Sequence, residues 1–273
     1  MEIQHQYRSQ YIMNNKTSRR KFITTATAGA ATGLLPAALF AKNAVSDIPQ
    51  SGNNGLVFLF QGDSITDGNR GRNTDPNHIM GHGYAFAVAS RVGADFPALG
   101  FAFYNRGISG NTIPDLQQRW KPDTIAIQPD VLSLLIGIND TAAVVENKPV
   151  ARTADEFEIG YRALLLESKA AKPATLFILG LPFVAAVGKR KENFDRWKEE
   201  AAQRSARIEK LASEFDALTV NYQAVFDKAI KKAPAEYWIW DGIHPTVAGH
   251  ELMAREWIKQ AGKRLGFLKH YHY

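Results

Sequence analysis

Three side chains have the types and positions to act as a nucleophile, a base and an orienting acid: Ser64, His244 and Asp241. A serine hydroxyl at its ordinary pKa is a poor nucleophile, so a base must take its proton. Histidine suits that task because its pKa lies near neutrality. A carboxylate then fixes the imidazole tautomer and stabilises the imidazolium. Asp241 and His244 are three residues apart in "WDGIHP", and Pro245 stiffens the turn and starts the next helix. Such a turn lets the carboxylate reach Nδ1 while Nε2 points outward. Attack on a carbonyl creates an oxyanion, which needs preorganised donors. The backbone N–H groups of Ser64 and Gly107 and the side-chain amide of Asn139 are the candidates. Glycine at 107 lets the backbone approach closely because it has no Cβ.

Taken singly, each residue also has a purely structural reading. Ser64 follows an apolar run in "LVFLFQGDSITDGNRGRN" and can equally be the N-cap of a helix. Asn139-Asp140 reads as a turn or cap, and Asp241-x-x-His244 as a surface turn. Asp63 and Asp67 read as residues that cap or brace a turn rather than as metal ligands. His78 and His82 are spaced i, i+4, but Gly81 and Gly83 flank the second, which argues against a helical metal pair. His250 falls on the last helix, where a structural role suffices, and His270 and His272 sit in a peripheral tail. There are no cysteines, which excludes disulfides, thiolate metal sites and a cysteine nucleophile. Neither a metal nor a cofactor is expected. Neither G-x-x-x-x-G-K-[ST] nor G-x-G-x-x-G follows the first strand, so flavin or nucleotide binding is disfavoured.

The elements that must position these groups alternate along the chain. Apolar runs at "LVFLFQ", "GFAFYNRG", "VLSLLIG", "TLFILG" and "ALTVNY" read as strands. "VLSLLIG" is nearly all apolar, as a central parallel strand buried on both faces should be. A helix over "GYAFAVASRVGADF" is expected to place Phe86, Val88, Ala89 and Val92 on one side. A short helix begins at "IPDLQQRW". Thr153 to Glu156 forms a capping box that opens a helix with Phe157, Tyr161, Leu164 and Leu165 on one face. A long charged helix covers 193–215. The last helix follows Pro245, with Val247, Ala254, Trp257, Ile258, Ala261 and Leu265 on one face. The pattern implies an α/β fold with a parallel sheet between two layers of helices. In such sheets reactive groups lie beyond the carboxyl ends of the strands, which is where Ser64, Gly107, Asn139 and the Asp241–His244 turn would converge.

The first 41 residues read as a twin-arginine export signal. Arg19 and Arg20 stand in "SRRKFI", a mildly apolar Ala/Gly/Thr segment follows, and Ala41 is a plausible cleavage point. Residues 42–55 form a flexible lead, and 56–273 the functional domain. A periplasmic or secreted location follows, without stable membrane association after cleavage. The chain has 273 residues, 45% hydrophobic and 22% charged, which suits one domain plus a tail. Arg8, Lys16, Arg19, Arg20 and Lys21 against Glu2 place most of the net charge of +6 in that tail. No basic stripe with interleaved aromatics is present, so nucleic acid is not an expected partner. Homo-oligomerisation is compatible with the sequence.

The blocks "GDS" at 62–64, Gly107, "GIND" at 137–140 and "DGIH" at 241–244 resemble the SGNH hydrolases, or GDSL esterases, over 56 to about 265. Ile65 replaces the leucine of the GDSL name. The resemblance implies a flavodoxin-like three-layer fold with five parallel strands and metal-free esterase activity. It implies Ser64 as nucleophile, His244 as base and Asp241 as orienting acid. The oxyanion hole would be Ser64 N–H, Gly107 N–H and the Asn139 amide. "YNRGISGNTIPDLQQRW", "PDVLSLLIGIND" and "WDGIHPTVAGH" are similar to a bacterial branch containing acetylxylan and xylo-oligosaccharide acetylesterases. That implies short acetyl esters on hemicellulose-derived or other carbohydrates as substrates, cleaved through an acyl-serine. The polar, glycine-rich loop after Ser64 differs from the apolar lid expected of a lipase. Asp63 and Trp240 are assigned to substrate binding, Trp240 by stacking on a sugar face. Packing of Trp238 and Trp240 in the core is the competing reading. A lysophospholipase or thioesterase of the same superfamily is the enzyme alternative. A non-catalytic carbohydrate-binding protein is the non-enzyme one.

Overall fold

In the computed structural model, which describes residues 55–73 and 75–272, five parallel strands form one sheet in the order β2-β1-β3-β4-β5. They are β1 Val57–Gly62, β2 Ala102–Asn105, β3 Val131–Leu135, β4 Leu176–Gly180 and β5 Leu218–Val220. The helices are α1 Ser64–Asp67, α2 Tyr84–Asp95, α3 Ile113–Asp123, α4 Ile138–Val145 and α5 Ala154–Ala171. They continue as α6 Phe194–Glu214, α7 Tyr222–Ala229, α8 Ala235–Trp238 and α9 Val247–Ala261. This is the flavodoxin-like order, whose direction switches between β1 and β3. The export-signal reading of 1–41, and the lead up to residue 54, lie outside the described residues. Among the described residues no helix is long and apolar enough to cross a membrane.

Side chains alternate across each strand, so β1 feeds both layers. Phe58 and Phe60 pack with Tyr84, Val88, Phe226 and Trp257 of α2, α7 and α9. Leu59 packs on the other face with Leu116, Trp120, Tyr161 and Leu211 of α3, α5 and α6. Every residue of β3 is buried because helices cover both its faces. The two largest core side chains satisfy their indole N–H groups internally. Trp120 donates to Ser168 Oγ at 3.0 Å and Trp257 to Ser133 Oγ at 2.9 Å.

Two sequence expectations fail on the surface. Phe86 is 44% exposed, because the buried stripe of α2 runs through Tyr84, Val88 and Val92 and Phe86 points away from it. Val247 is 85% exposed. It is the first residue of α9, where the helix emerges from a loop, and the packing that buries Ala254 and Trp257 does not reach it. The Thr153–Glu156 capping box forms as expected.

Candidate active site

The strand ends bring together Ser64, Asn139 and the loop after β2, with the loop before α9 completing the site. β1 ends at Gly62 and the chain turns directly into α1. Asp63 caps that helix: its Oδ1 accepts from Ile65 N–H at 3.0 Å. Ser64 is therefore the first helical residue and not the cap, and its hydroxyl is left for another partner. Ser64 Oγ lies 2.8 Å from His244 Nε2. The substrate-binding role expected of Asp63 is corrected by its burial. The residue is fully enclosed, and Oδ2 has no hydrogen-bond partner among the described residues. Burial pushes its carboxyl up to about pKa 7.

The second half of the pair is built within one turn. Asp241 Oδ1 accepts from the N–H groups of Ile243 at 2.9 Å and His244 at 2.8 Å. Its Oδ2 lies 2.8 Å from His244 Nδ1. A bridge between Ile239 and Pro245 closes the loop, and Trp240 N–H donates to His244 O at 3.1 Å. Gly242 has φ +95°, and a Cβ there would sit 2.8 Å from Ala185 O, so the turn requires glycine. Burial alone would raise the Asp241 carboxyl. The bonds from the His244 ring and from two backbone N–H groups outweigh it and hold the carboxyl well below the usual range. The Asp241 partner raises the His244 pKa above its ordinary value, against an opposing effect of burial.

That shift has a testable sign. With His244 as the base for Ser64, activity is expected to fall as pH drops through the His244 pKa, because an imidazolium cannot accept the serine proton. The acid limb of kcat/KM is expected above the ordinary histidine value of about 6.5. A limb centred below that value in a pH–rate profile would contradict the Asp241–His244 coupling.

The oxyanion candidates are placed less uniformly than their sequence suggests. Ser64 N–H stands at the start of α1, where a helix leaves its N–H groups without internal partners. Asn139 lies in the first turn of α4 rather than in a loop, and its Nδ2 donates to Asn111 O at 3.1 Å. A primary amide has two N–H bonds, so that contact orients the group and leaves one free. Gly107 N–H was expected as an open donor, but it bonds Asn105 Oδ1 at 2.9 Å in an Asx-type turn. It can reach an oxyanion only by sharing its hydrogen. Glycine is still required at 107, since a Cβ would fall 2.4 Å from Asp67 N.

Three positions that sequence reasoning passed over support this arrangement. Asn105 is buried at the end of β2, and its Nδ2 donates to Thr66 O at 2.6 Å and Met80 O at 3.0 Å, fastening β2 to α1. An asparagine ending an otherwise apolar strand was the available signal. Asn111 holds the Asn139 amide through its carbonyl, and Arg119 Nε donates to the Asn111 side chain at 2.7 Å. Asp67 braces the neighbouring loop by accepting from Arg70 N–H at 3.1 Å, Ser109 N–H at 3.0 Å and Arg72 Nη2 at 2.7 Å. Burial would raise its pKa, but Arg72 and these N–H groups together hold it low. Asp140 is buried, accepts from Ile113 N–H at 3.2 Å, and is pushed by burial to about pKa 6.

The remaining candidates separate cleanly. Trp240 is 61% exposed, and its ring lies nearly parallel to that of His244, with centroids 6.0 Å apart at 23°. Trp238 instead packs against the core. His250 Nδ1 accepts from Tyr84 N–H at 3.1 Å, and burial lowers its pKa to about 4, which keeps it neutral. Among the described residues no group of three or more His, Cys, Asp or Glu side chains is arranged to hold a metal, His78 and His82 included.

A hydroxyl, an imidazole and a carboxylate in series can activate an oxygen nucleophile beside a polarised N–H cluster. The family model described as GDSL-like Lipase/Acylhydrolase matches residues 60–252. The chain belongs to the GDSL-like lipase/acylhydrolase family. Like its family, it is a carboxylic ester hydrolase. An acetylxylan esterase from Geobacillus stearothermophilus is 35% identical over 216 residues, covering 77% of this chain and 95% of that one. Its crystal structure superposes with a TM-score of 0.68 at 34% identity, over 77% of this chain and 95% of that one. A crystal structure described as a GDSL-like lipase from Parabacteroides merdae gives 0.73 at 39% identity, over 77% and 97%. Catalytic mutants of the Geobacillus esterase each replace one serine, aspartate or histidine, the last two lying three residues apart.

Proposed function

We infer that this GDSL-family hydrolase removes acetyl groups from carbohydrates, with hemicellulose-derived oligosaccharides as the substrate class, through an acetyl-serine intermediate. The observation that carries the reading is the unbroken series Ser64 Oγ, His244 Nε2, His244 Nδ1, Asp241 Oδ2, with both gaps at 2.8 Å. Ser64 Oγ attacks the ester carbonyl while His244 Nε2 takes its proton. The oxyanion is held by Ser64 N–H, the free Asn139 N–H and the shared Gly107 N–H. Collapse breaks the bond to the sugar oxygen, and His244 returns the proton to that oxygen. A water then attacks the acetyl-serine, gives its proton to His244, and releases acetate as Ser64 regains a hydrogen. Removing one oxyanion donor from such a site costs about 3–4 kcal/mol in the barrier.

Two features favour a sugar ester over a lipid. Trp240 presents an open aromatic face beside the base, and such faces stack on pyranose rings. The loop after Ser64 is polar, where an apolar lid would suit acyl chains. The twin-arginine segment supports export to the periplasm or beyond, where polymer fragments occur. The reading is tested by acetate release from acetylated xylo-oligosaccharides, pectin fragments and sialate esters, beside 4-nitrophenyl esters of graded length. Faster turnover of C8–C12 esters than of acetate would instead favour a lysophospholipase or thioesterase. Trp240→Ala is expected to raise KM for the acetylated oligosaccharide about tenfold while moving KM for 4-nitrophenyl acetate little. Equal changes on both substrates would remove the stacking role.

A further inference from the structure

The Arg119 guanidinium bonds the segments that carry two of the candidate oxyanion donors, Ser64 and Gly107, and the residue on which the third, the Asn139 amide, is set. Nε donates to Asn111 Oδ1 at 2.7 Å, Nη1 to Arg106 O at 2.8 Å, and Nη2 to Gly62 O at 3.3 Å. Nη1 also bonds Asp123 Oδ2 at 2.8 Å, one turn on along α3. Apart from Asp123, these acceptors lie outside α3, at separations of 8, 13 and 57 residues from Arg119. Gly62 O belongs to the peptide just before Asp63-Ser64. Arg106 O is the carbonyl of the peptide whose N–H is that of Gly107. Asn111 is the residue whose own carbonyl orients the Asn139 amide.

We propose that Arg119 is a positioning residue for the oxyanion hole, setting the geometry of all three donors from behind through one planar guanidinium. The proposal rests on the oxyanion assignment given above. It follows from how these bonds act on each donor. Arg119 on the carbonyl and Asn105 Oδ1 on the N–H grip opposite ends of the Arg106–Gly107 peptide, fixing its plane. A cation on an amide carbonyl also polarises the peptide, making its N–H a stronger donor. The bond to Asn111 Oδ1 fixes the residue against which the Asn139 amide is set. The bond to Gly62 O anchors the β1 end from which Ser64 projects. Arg119 is well placed for this because it is mostly buried and neutralised by Asp123. Lysine cannot replace it: an ammonium is a point donor, whereas these acceptors lie around the edge of a fork.

Donors out of place lose most where charge develops, in the transition state and not in bound substrate. Arg119→Lys is therefore expected to lower kcat on 4-nitrophenyl acetate about 10–100-fold, with KM within about twofold. Phenylboronic acid supplies a readout that a purely structural role would not move. Ser64 Oγ adds to boron, its proton passes to His244, and the resulting tetrahedral anion places a boron oxygen in the hole. Its inhibition constant should rise in step with the fall in kcat. Asn111→Ala cuts only the Arg119–Asn111 link, in an accessible loop, and is expected to cost kcat about 3–10-fold with Tm retained. The proposal is overturned if folded Arg119→Lys and Asn111→Ala enzymes keep kcat within about twofold of the parent. It is equally overturned if the losses follow the titrated fraction of active sites while boronate affinity is unchanged. If the parent hydrolyses no ester through Ser64, the catalytic reading itself fails, a result seen before any Arg119 variant is made.

Discussion

Ser64→Ala is expected to lower kcat on 4-nitrophenyl acetate by about 10⁴–10⁶-fold while leaving the fold intact. The size follows from what the hydroxyl does. No other oxygen in the described site faces His244 Nε2 within hydrogen-bond distance. Its removal forces water to attack directly, helped only by the base and the donor cluster. The fold should tolerate the change because Ser64 is not the cap of α1. Asp63 performs that task through Ile65 N–H, and alanine is a good helix former at the first position. Steady-state rates beside circular dichroism and Tm decide the matter. Parent-like kcat in a folded variant would end the serine reading.

Asp241→Asn is expected to lower kcat by about 10³–10⁴-fold, through a proton in the wrong place rather than lost structure. Asp241 Oδ1 accepts from two backbone N–H groups, so an asparagine keeps the turn by presenting its carbonyl oxygen there. Its NH₂ must then face His244 Nδ1. A donor at that position requires Nδ1 to be the acceptor, which puts the ring hydrogen on Nε2, toward Ser64. The imidazole then donates where it should accept. The acid limb of the pH profile should also move down, because the carboxylate that raises the His244 pKa is gone. A folded Asp241→Asn enzyme retaining about one-tenth or more of the parent kcat would show that Asp241 does not set the tautomer.

The sheet and the Asp241–His244 pair were legible because both depend on short-range pattern, and Ser64 was joined to them by the rule that reactive groups lie beyond the strand ends. β3 reads as a central strand from its run of apolar residues, and the Asp241–His244 contact lies within four residues. Periodicity alone says that a helix has a face, not how far the core extends, which is why Phe86 and Val247 were misplaced. Asn139-Asp140 taken alone looked like a turn or cap, yet it lies in the first turn of α4, because Gly137 caps that helix two residues after β3 and Ile138 begins it. Whether Ser64 capped its helix turned on its neighbour: Asp63 is the stronger local acceptor and took the cap. The sharing of Gly107 N–H with Asn105, and the bonds of Arg119 to distant carbonyls, leave little mark on local pattern. They depend on which loops the crossovers bring together.

The bond between Ser64 and His244 joins positions 180 residues apart, whereas Asp241 and His244 meet within one turn. Bringing distant chain segments together is the slow part of building a parallel sheet. The acid–base unit can form with its own loop, but it has nothing to act on until β1 is seated centrally and α9 has docked against α2. Recovery of ester hydrolysis after dilution from denaturant is therefore a clock for the final assembly of this chain. Far-ultraviolet signals, which report helices wherever they form, should return ahead of it.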